Sequence, residues 1–338
     1  MRTTSELESK LSEPSERLIE DLAKLDGDIL ILGVGGKMGP SLAKLVKRGI
    51  EAAGIGKKVT GVSRFSSGDL RSELEAAGIH TIAADLLDEA ALSNLPETRN
   101  VIYMAGNKFG TTGREYFTWA MNAYLPGRVA EKYQQSRIVA FSSGNIYPLT
   151  EIASGGASEE TPPAPIGEYA QSCLGRERVF EYFSRKNGTP LVNFRLNYAI
   201  DLRYGILLEI AKSVKEGNPI DLSMGQVNVI WQGDANEMAI RSLLLCDSPP
   251  VTLNITGPET VSIRWLSERF GEMFGVAPKF DGIEQPTALL NNASHSHRLF
   301  GYPRVTLRQM MEWTVSWVEA GGDTLNKPTH FQERAGAF

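Results

Sequence analysis

The sequence predicts an α/β protein, a doubly wound parallel-sheet domain joined to a smaller C-terminal α/β domain. Three observations predict it. The run DILILGVGGKMGPSLAKLVK, Asp28 to Lys47, passes from four apolar residues through Gly33, Gly35, Gly36 and Gly39. It then enters an amphipathic segment with Leu42, Leu45 and Val46 at helical spacing, and so reads as strand, glycine turn, helix. Further short apolar runs alternate with helical patterns, the mark of a sheet wound on both faces. A chain of 338 residues, 42% hydrophobic and 22% charged, buries a full core and divides more readily into two lobes than one.

In order along the chain, residues 1–27 form a polar extension with a helix from Pro14 to Leu25, capped by Ser12 or Ser15, whose Leu18, Ile19, Leu22 and Leu25 face inward. The glycine turn that follows lets backbone approach a pyrophosphate, with the helix N-terminus aimed at the phosphates. Gly33, Gly35, Gly36, Lys37, Met38 and Gly39 are therefore expected cofactor contacts. A second strand in Lys57 to Arg64 ends in Ser63 and Arg64. A hydroxyl and a guanidinium, where an acidic residue would hold a ribose 2′-hydroxyl, suit a 2′-phosphate and favour NADP over NAD. The alternatives for Arg64 are a solvated surface charge or stacking on adenine. A third strand, Thr81 to Ala84, ends at Asp85 and Leu86. A fourth, Asn100 to Met104, ends in Ala105, Gly106, Asn107 and Lys108. Asp85 is expected to face the adenine and Lys108 the ribose or phosphates, unless they are a loop cap and a surface charge. The next helix carries Asn122, and a fifth strand, Arg137 to Phe141, leads into Ser142, Ser143, Gly144, Asn145, Ile146 and Tyr147.

The order GVGGKMG, DLLD, YMAGNK, FSSGNIY and EETPPAPIGEY, followed by RLNYAIDLR, WQGD and LNITG, resembles the extended short-chain dehydrogenase/reductase branch. That branch is often labelled NAD-dependent epimerase/dehydratase. The resemblance runs from about Asp28 onward. It implies a Rossmann domain over 28–200 with a return segment near 227–256, and a substrate domain from 201–226 and 257–322. It places cofactor contacts around Gly33, Gly36, Gly39, Asp85, Ala105, Gly106, Lys108 and Asn122, the active-site serine at Ser143 and the acid/base tyrosine at Tyr169, itself also against the cofactor. The implied chemistry is hydride transfer coupled to proton transfer at a carbinol or carbonyl.

One departure matters for that chemistry. Where the family places a lysine one helical turn after the tyrosine, this chain reads YAQSC, with Cys173. An ammonium at about 5 Å, at an effective dielectric near 20, supplies roughly 3 kcal/mol toward tyrosinate, and a neutral thiol supplies almost none. Two readings follow. The protein is an NAD(P)-dependent oxidoreductase or epimerase/dehydratase with an atypical Ser-Tyr-Cys site, or it is a weakly active or inactive NAD(P)-binding sensor or scaffold. Lys108 is a candidate to replace the missing charge, and Cys173 otherwise reads as packing.

For the substrate, a sugar, nucleotide sugar or related carbonyl compound, the resemblance points to 195–205 and 217–232. Asn145, Asn197, Tyr198, Arg203 and Trp231 are the candidates there, Arg203 as a grip on an oxyanion or as half of a surface ion pair. The stretch from Gly155 and Gly156 to Pro165 reads as a flexible loop placed to cover a substrate. Asp234 reads as a helix cap before Ala235. Helices over 262–274 and 306–320 are expected to turn Trp265, Leu266, Phe270 and Met273, and Met310, Met311, Trp313, Trp317 and Val318, inward. The tail, 323–338, reads as loosely ordered or docked on a partner.

Net charge of −5 and a pI near 5.6 give no electrostatic reason to expect nucleic acid or an anionic membrane. Two distant cysteines, Cys173 and Cys246, and the lack of a long apolar run suggest a cytoplasmic protein. His295 and His297 lack the spacing of a structural zinc site, so no metal is assigned. By resemblance, the helices carrying Asn122 and Tyr169 imply a homodimer.

Overall fold

The computed structural model describes residues 1–66, 68–108, 113–327 and 329–336. Its frame is a seven-stranded sheet, every pairing parallel, built from β1 (Ile29–Leu32), β2 (Val59–Ser63), β3 (His80–Ala83), β4 (Asn100–Tyr103), β5 (Arg137–Ser143), β6 (Leu191–Leu196) and β7 (Val251–Ile255). They lie in the order β7-β6-β5-β4-β1-β2-β3. Strands β1 and β4 are buried along their whole length, which is why Ile29–Leu32 and, after Asn100, Val101–Tyr103 read as apolar runs instead of alternating ones. The winding reverses between β1 and β4, and the crevice opened there beyond the strand ends receives ligands in such sheets.

Helices cover both faces, among them the short α4 (Leu70–Ala76), α5 (Glu89–Ser93) and α12 (Ser294–Phe300). On one face α2 (Glu16–Lys24) and α3 (Gly39–Ala52) bring Leu18, Leu22, Leu42 and Leu45 onto Ile29 and Ile31. On the other, α7 (Leu125–Lys132) and α8 (Gly167–Asn187) bring Leu125, Val129 and Phe180 onto Leu30, Leu32 and Tyr103. A second core gathers α9 (Ile206–Glu216), α11 (Ile263–Phe274) and α13 (Leu307–Glu319), with Trp231 and Trp317 at its centre.

The N-terminal extension is two helices, not one. α1 (Thr4–Leu11), closed by a capping box from Thr3 and Glu6, sends Leu7 and Leu11 into the second core, while α2, capped by Ser15, packs on the first. The short apolar content of α1 hid it from periodicity. Two side chains expected inside, Trp265 and Met273, are 44% and 41% exposed, because α11 buries the narrower stripe Ile263, Leu266, Ser267 and Phe270. Asp234 is not a cap. Helix α10 (Gln232–Arg241) begins two residues earlier, and the Asp234 carboxylate accepts from the Val305 amide at 2.9 Å, tying down the approach to α13.

Candidate functional site

The glycine turn closes on itself by a hydrogen bond from the Gly36 amide to the Gly33 carbonyl, and Gly33 and Val34 both donate to the carbonyl of Val62. Gly33 holds φ +91°, and a Cβ there would stand 2.6 Å from the amide nitrogen of Ala105, so both the conformation and the space require glycine. The turn presents Gly36, Lys37, Met38 and Gly39 at the start of α3, with Pro40 at its first turn.

Two cavities meet at Gly33, Gly36 and Met104. The first, about 380 Å³, is lined by Ser63, Arg64, Asp85, Leu86, Ala105 and Gly106, with Lys327 from the tail. The second, about 250 Å³, is lined by Lys37, Lys108, Ser143, Asn145, Tyr169 and Asn197, with Tyr198, Tyr204 and Thr329 closing it. Together they form one elongated crevice across the switch point of the sheet, with the glycine turn at its waist. A dinucleotide has that shape, two mononucleotide halves joined by a pyrophosphate, and the free amides of the turn lie where the pyrophosphate would fall. The residues present fit such a cofactor.

A sequence profile of the NAD dependent epimerase/dehydratase family matches residues 29–200. The chain belongs to that family. It is accordingly an NAD-dependent enzyme of the epimerase/dehydratase type. Solved structures resemble it over nearly their whole length. One is the UDP-glucuronic acid 4-epimerase from Bacillus cereus in complex with NAD, at 16% identity and TM-score 0.68 over 87% of this chain and 98% of that one. Another is the UDP-glucose 4-epimerase from Thermus thermophilus in complex with NAD, at 18% and 0.69 over 85% and 97%. A third is the UDP-glucose 4-epimerase from Thermotoga maritima with UDP-glucose, at 17% and 0.67 over 87% and 99%. At these identities the likeness shows the fold. No curated protein matches the chain.

Within this family site, Ser143 ends β5 and caps a single 3-10 turn, its hydroxyl accepting from the Asn145 amide at 3.1 Å. Tyr169, on the first turn of α8, shares hydrogen bonds with Ser143 and with Cys173 one turn on. Burial, and then the neighbouring thiol, hold the Tyr169 phenol well above its ordinary range, while the Arg176 guanidinium and the Ser143 hydrogen bond pull the other way. Cys173 is fully buried, and that burial raises its thiol.

Two lysines face the same cavity. The Lys37 ammonium donates to the Ala199 carbonyl at 2.9 Å and lies 3.9 Å from the centre of the Tyr204 ring. Burial lowers it to about 7. Burial likewise lowers Lys108 to about 8, and its ammonium stands 6.0 Å from the centre of the Tyr169 ring. Across from them Asn197 is 2% exposed with its Nδ2 unpartnered among the described residues, and Tyr198 beside it holds φ +41°. A tyrosine in the left-handed region is strained, and such strain collects at functional sites.

Three expectations are corrected here. Trp231 is 1% exposed and packs edge-to-face on Trp313, away from the cavity. Arg203 pairs with Asp201 at 2.8 Å and with Glu8 of α1 at 2.7 Å, so its fork is already filled by carboxylates. Asn122 does not reach the crevice. It sits fully buried in a π-helical turn, Ala120–Tyr124, and bonds both the amide and the carbonyl of Asn107, positioning the loop that ends in Lys108 from behind.

The two segments expected to be loose have exchanged roles. The loop from Gly155 to Pro165 is pinned, through Ala157 to Leu290 and Asn292 and through Glu159 to the Asn254 amide, and contributes nothing to the cavity lining. The tail instead crosses the crevice. Leu325 donates to the Arg203 carbonyl, the Thr329 amide and hydroxyl both donate to Glu209, Phe331 is buried in the second core, and Arg334 donates to the carbonyl of Thr287 at 2.7 Å. The part of the tail at Pro328, Ala337 and Phe338 lies outside the described residues.

Lys327, Thr329, Tyr204 and Arg176 carry roles that sequence spacing did not single out. For Arg176 a signal existed. Tyr169, Cys173, Arg176 and Phe180 recur at helical spacing, which put a guanidinium on the buried stripe of α8.

Proposed function

We propose that this protein interconverts or dehydrates a sugar or nucleotide sugar by hydride transfer, with Tyr169 as acid/base and Ser143 hydrogen-bonded to the same substrate oxygen. The observation that carries the reading is that Tyr169 and Ser143 share one cavity with the glycine turn. Gly33, Gly36, Lys37, Met38 and Gly39 would hold the pyrophosphate, and Ser63, Arg64, Asp85 and Leu86 the adenosine. The bound nicotinamide would supply the site for hydride. Tyr169 takes the proton of a substrate hydroxyl as the adjoining carbon loses hydride, and returns it when the carbonyl is reduced. The unpartnered Nδ2 of Asn197 offers the substrate a donor, and the ammonium groups of Lys37 and Lys108 favour an anionic ligand. The similar folds hold UDP-sugars and NAD, which makes UDP-glucose, UDP-galactose and UDP-glucuronic acid the first compounds to try. Chromatography of the sugar products should show conversion by the native protein and a loss of at least about a hundredfold in Tyr169→Phe. Undiminished turnover in that variant would overturn the assignment.

For the cofactor we infer a preference for NADP. Arg64 and Lys327 both border the adenosine cavity, against one carboxylate, Asp85, among the described residues that line it. Arg64 is exposed, so a water-like dielectric applies. A guanidinium at about 4 Å from a dianionic phosphate is then worth roughly 2 kcal/mol, or about thirtyfold. Fluorescence titration of Arg64→Ala should weaken NADPH by about that factor and leave NADH unchanged, and an equal effect on both would count against the assignment. The homodimer reading finds support in Tyr116, Tyr124 and Tyr182, which are 74%, 57% and 57% exposed on the α6 (Glu115–Trp119), π-turn and α8 stretch that carries Asn122 and Tyr169. Light scattering at micromolar concentration checks it, and a monomer mass would refute it.

A further inference from the structure

Helix α8 lacks the lysine expected at Cys173, yet it carries a buried cation one turn further along. Arg176 is 7% exposed. Its Nη1 donates to the Phe141 carbonyl at 2.7 Å, its Nη2 to the Asn122 side-chain oxygen at 2.8 Å and its Nε to the Asn122 carbonyl at 3.4 Å. All three acceptors are neutral, and among the described residues Arg176 forms no ion pair. The one carboxylate beside it in sequence, Glu177, is committed to Arg195 at 2.7 Å. A buried guanidinium without a counter-charge is expensive and projects its field into the low-dielectric surroundings.

The surroundings are the site. Phe141, whose carbonyl it holds, lines the cavity two residues before Ser143. A Cβ on Gly106 would stand 2.6 Å from Nη2, so the guanidinium lies directly behind the loop that carries Lys108. We propose that Arg176 takes over the electrostatic role left vacant at Cys173, and that its unpaired guanidinium behind the cavity is the fixed charge favouring the tyrosinate form of Tyr169. It is a positioning residue, acting through Tyr169 without touching the substrate, and the proposal rests on the reading of Tyr169 as acid/base. Tyr169 and Cys173 both experience Arg176 as the leading influence opposing their burial. The other charged or titratable groups on this side are Tyr103 of β4, whose ring centre lies 5.8 Å from the guanidinium, Cys173 and Glu177 of α8 and Lys108 from the loop after β4, with Lys37 across the cavity. A lysine at 173 would have titrated. An arginine keeps its charge at any pH the protein meets.

The test is the titration of Tyr169 itself, which needs no substrate. The protein, labelled at the tyrosine ring carbon bearing oxygen and saturated with oxidised NADP, whose pyridinium charge would bring the buried phenol down from its raised value, is followed by NMR as pH rises to about 11, Tyr169→Phe identifying the resonance. Arg176→Met, and Arg176→Gln as a variant that keeps a donor for Asn122, should each raise the Tyr169 pKa by about one unit or more, a tenfold loss of tyrosinate at a given pH. Arg176→Lys should stay near the native value, and Cys173→Lys in the Arg176→Met background should return toward it. A merely structural role would lower melting temperature without moving this pKa. A Tyr169 resonance unmoved by loss of the charge, or one that does not titrate in the native protein, overturns the proposal. Turnover that survives Tyr169→Phe would instead overturn the acid/base reading, while the titration still reports whether Arg176 acts on Tyr169.

Discussion

Replacing Glu177 by alanine tests how the acid/base helix is held against the sheet. Register places Ser142 of β5 beside Arg195 of β6, and Glu177 of α8 sits over both. Its carboxylate takes Arg195 Nη2 at 2.7 Å and Nε at 3.0 Å, and accepts from the Ser142 hydroxyl as well. Arg195 goes on to Tyr147, and Tyr147 to Asn254 of β7 at 2.9 Å, so one buried chain of bonds joins α8 to three strands. The glutamate and arginine side chains are 3% and 8% exposed. Removing the carboxylate strands the guanidinium in the interior, which costs about 3–5 kcal/mol. With about 2.1 cal/mol/K of unfolding entropy per residue, a chain of this length loses about 4–7 °C in melting temperature. Calorimetry at neutral pH, paired with urea unfolding, measures both figures. Exchanging the pair together, Glu177→Leu with Arg195→Met, should cost less than Glu177→Ala, because no charge is left behind. A Glu177→Ala cost below about 1 kcal/mol would refute the view that the pair is desolvated and interdependent.

The remaining predictions concern pH and the tail. Asp234 is 4% exposed, and burial raises its carboxyl to about 6 in the folded protein, so the folded state holds the proton more tightly than the unfolded one. Its stabilising contribution is therefore greatest below about pH 4 and is lost as pH rises through about 6. Relative to the native protein, Asp234→Asn should gain about 1–3 kcal/mol between pH 4 and pH 7.5 in urea melts, and a difference independent of pH would count against it. A chain ending at Asp323 loses Lys327 from one cavity and Thr329 from the other. Stopped-flow displacement should show cofactor leaving about tenfold faster, and an unchanged rate would show that the tail does not retain it.

The sequence by itself carried the sheet and its cofactor crevice. Ile29 to Leu32 is apolar on both faces, as a covered parallel strand is, and the glycine that ends it is demanded locally by a positive φ and a close approach at Gly33. Ser143 and Tyr169 are singled out through the resemblance of FSSGNIY and EETPPAPIGEY to the family, and they stand at a strand end and a helix start. What tertiary structure decided are the pairings between distant segments. Whether Arg203 grips a ligand or an internal carboxylate depended on α1, nearly two hundred residues away, bringing Glu8 alongside. Trp231 became core because Trp313 folds onto it. The polar tail showed no period because its order comes from single anchors, Thr329 on Glu209 and Arg334 on Thr287, not from a repeating face. Arg176 stands between these cases. Its place on the buried stripe of α8 was written in the spacing, but only packing shows that it meets carbonyls and Asn122 instead of a carboxylate, and an unpaired charge acts on its surroundings where a paired one would not.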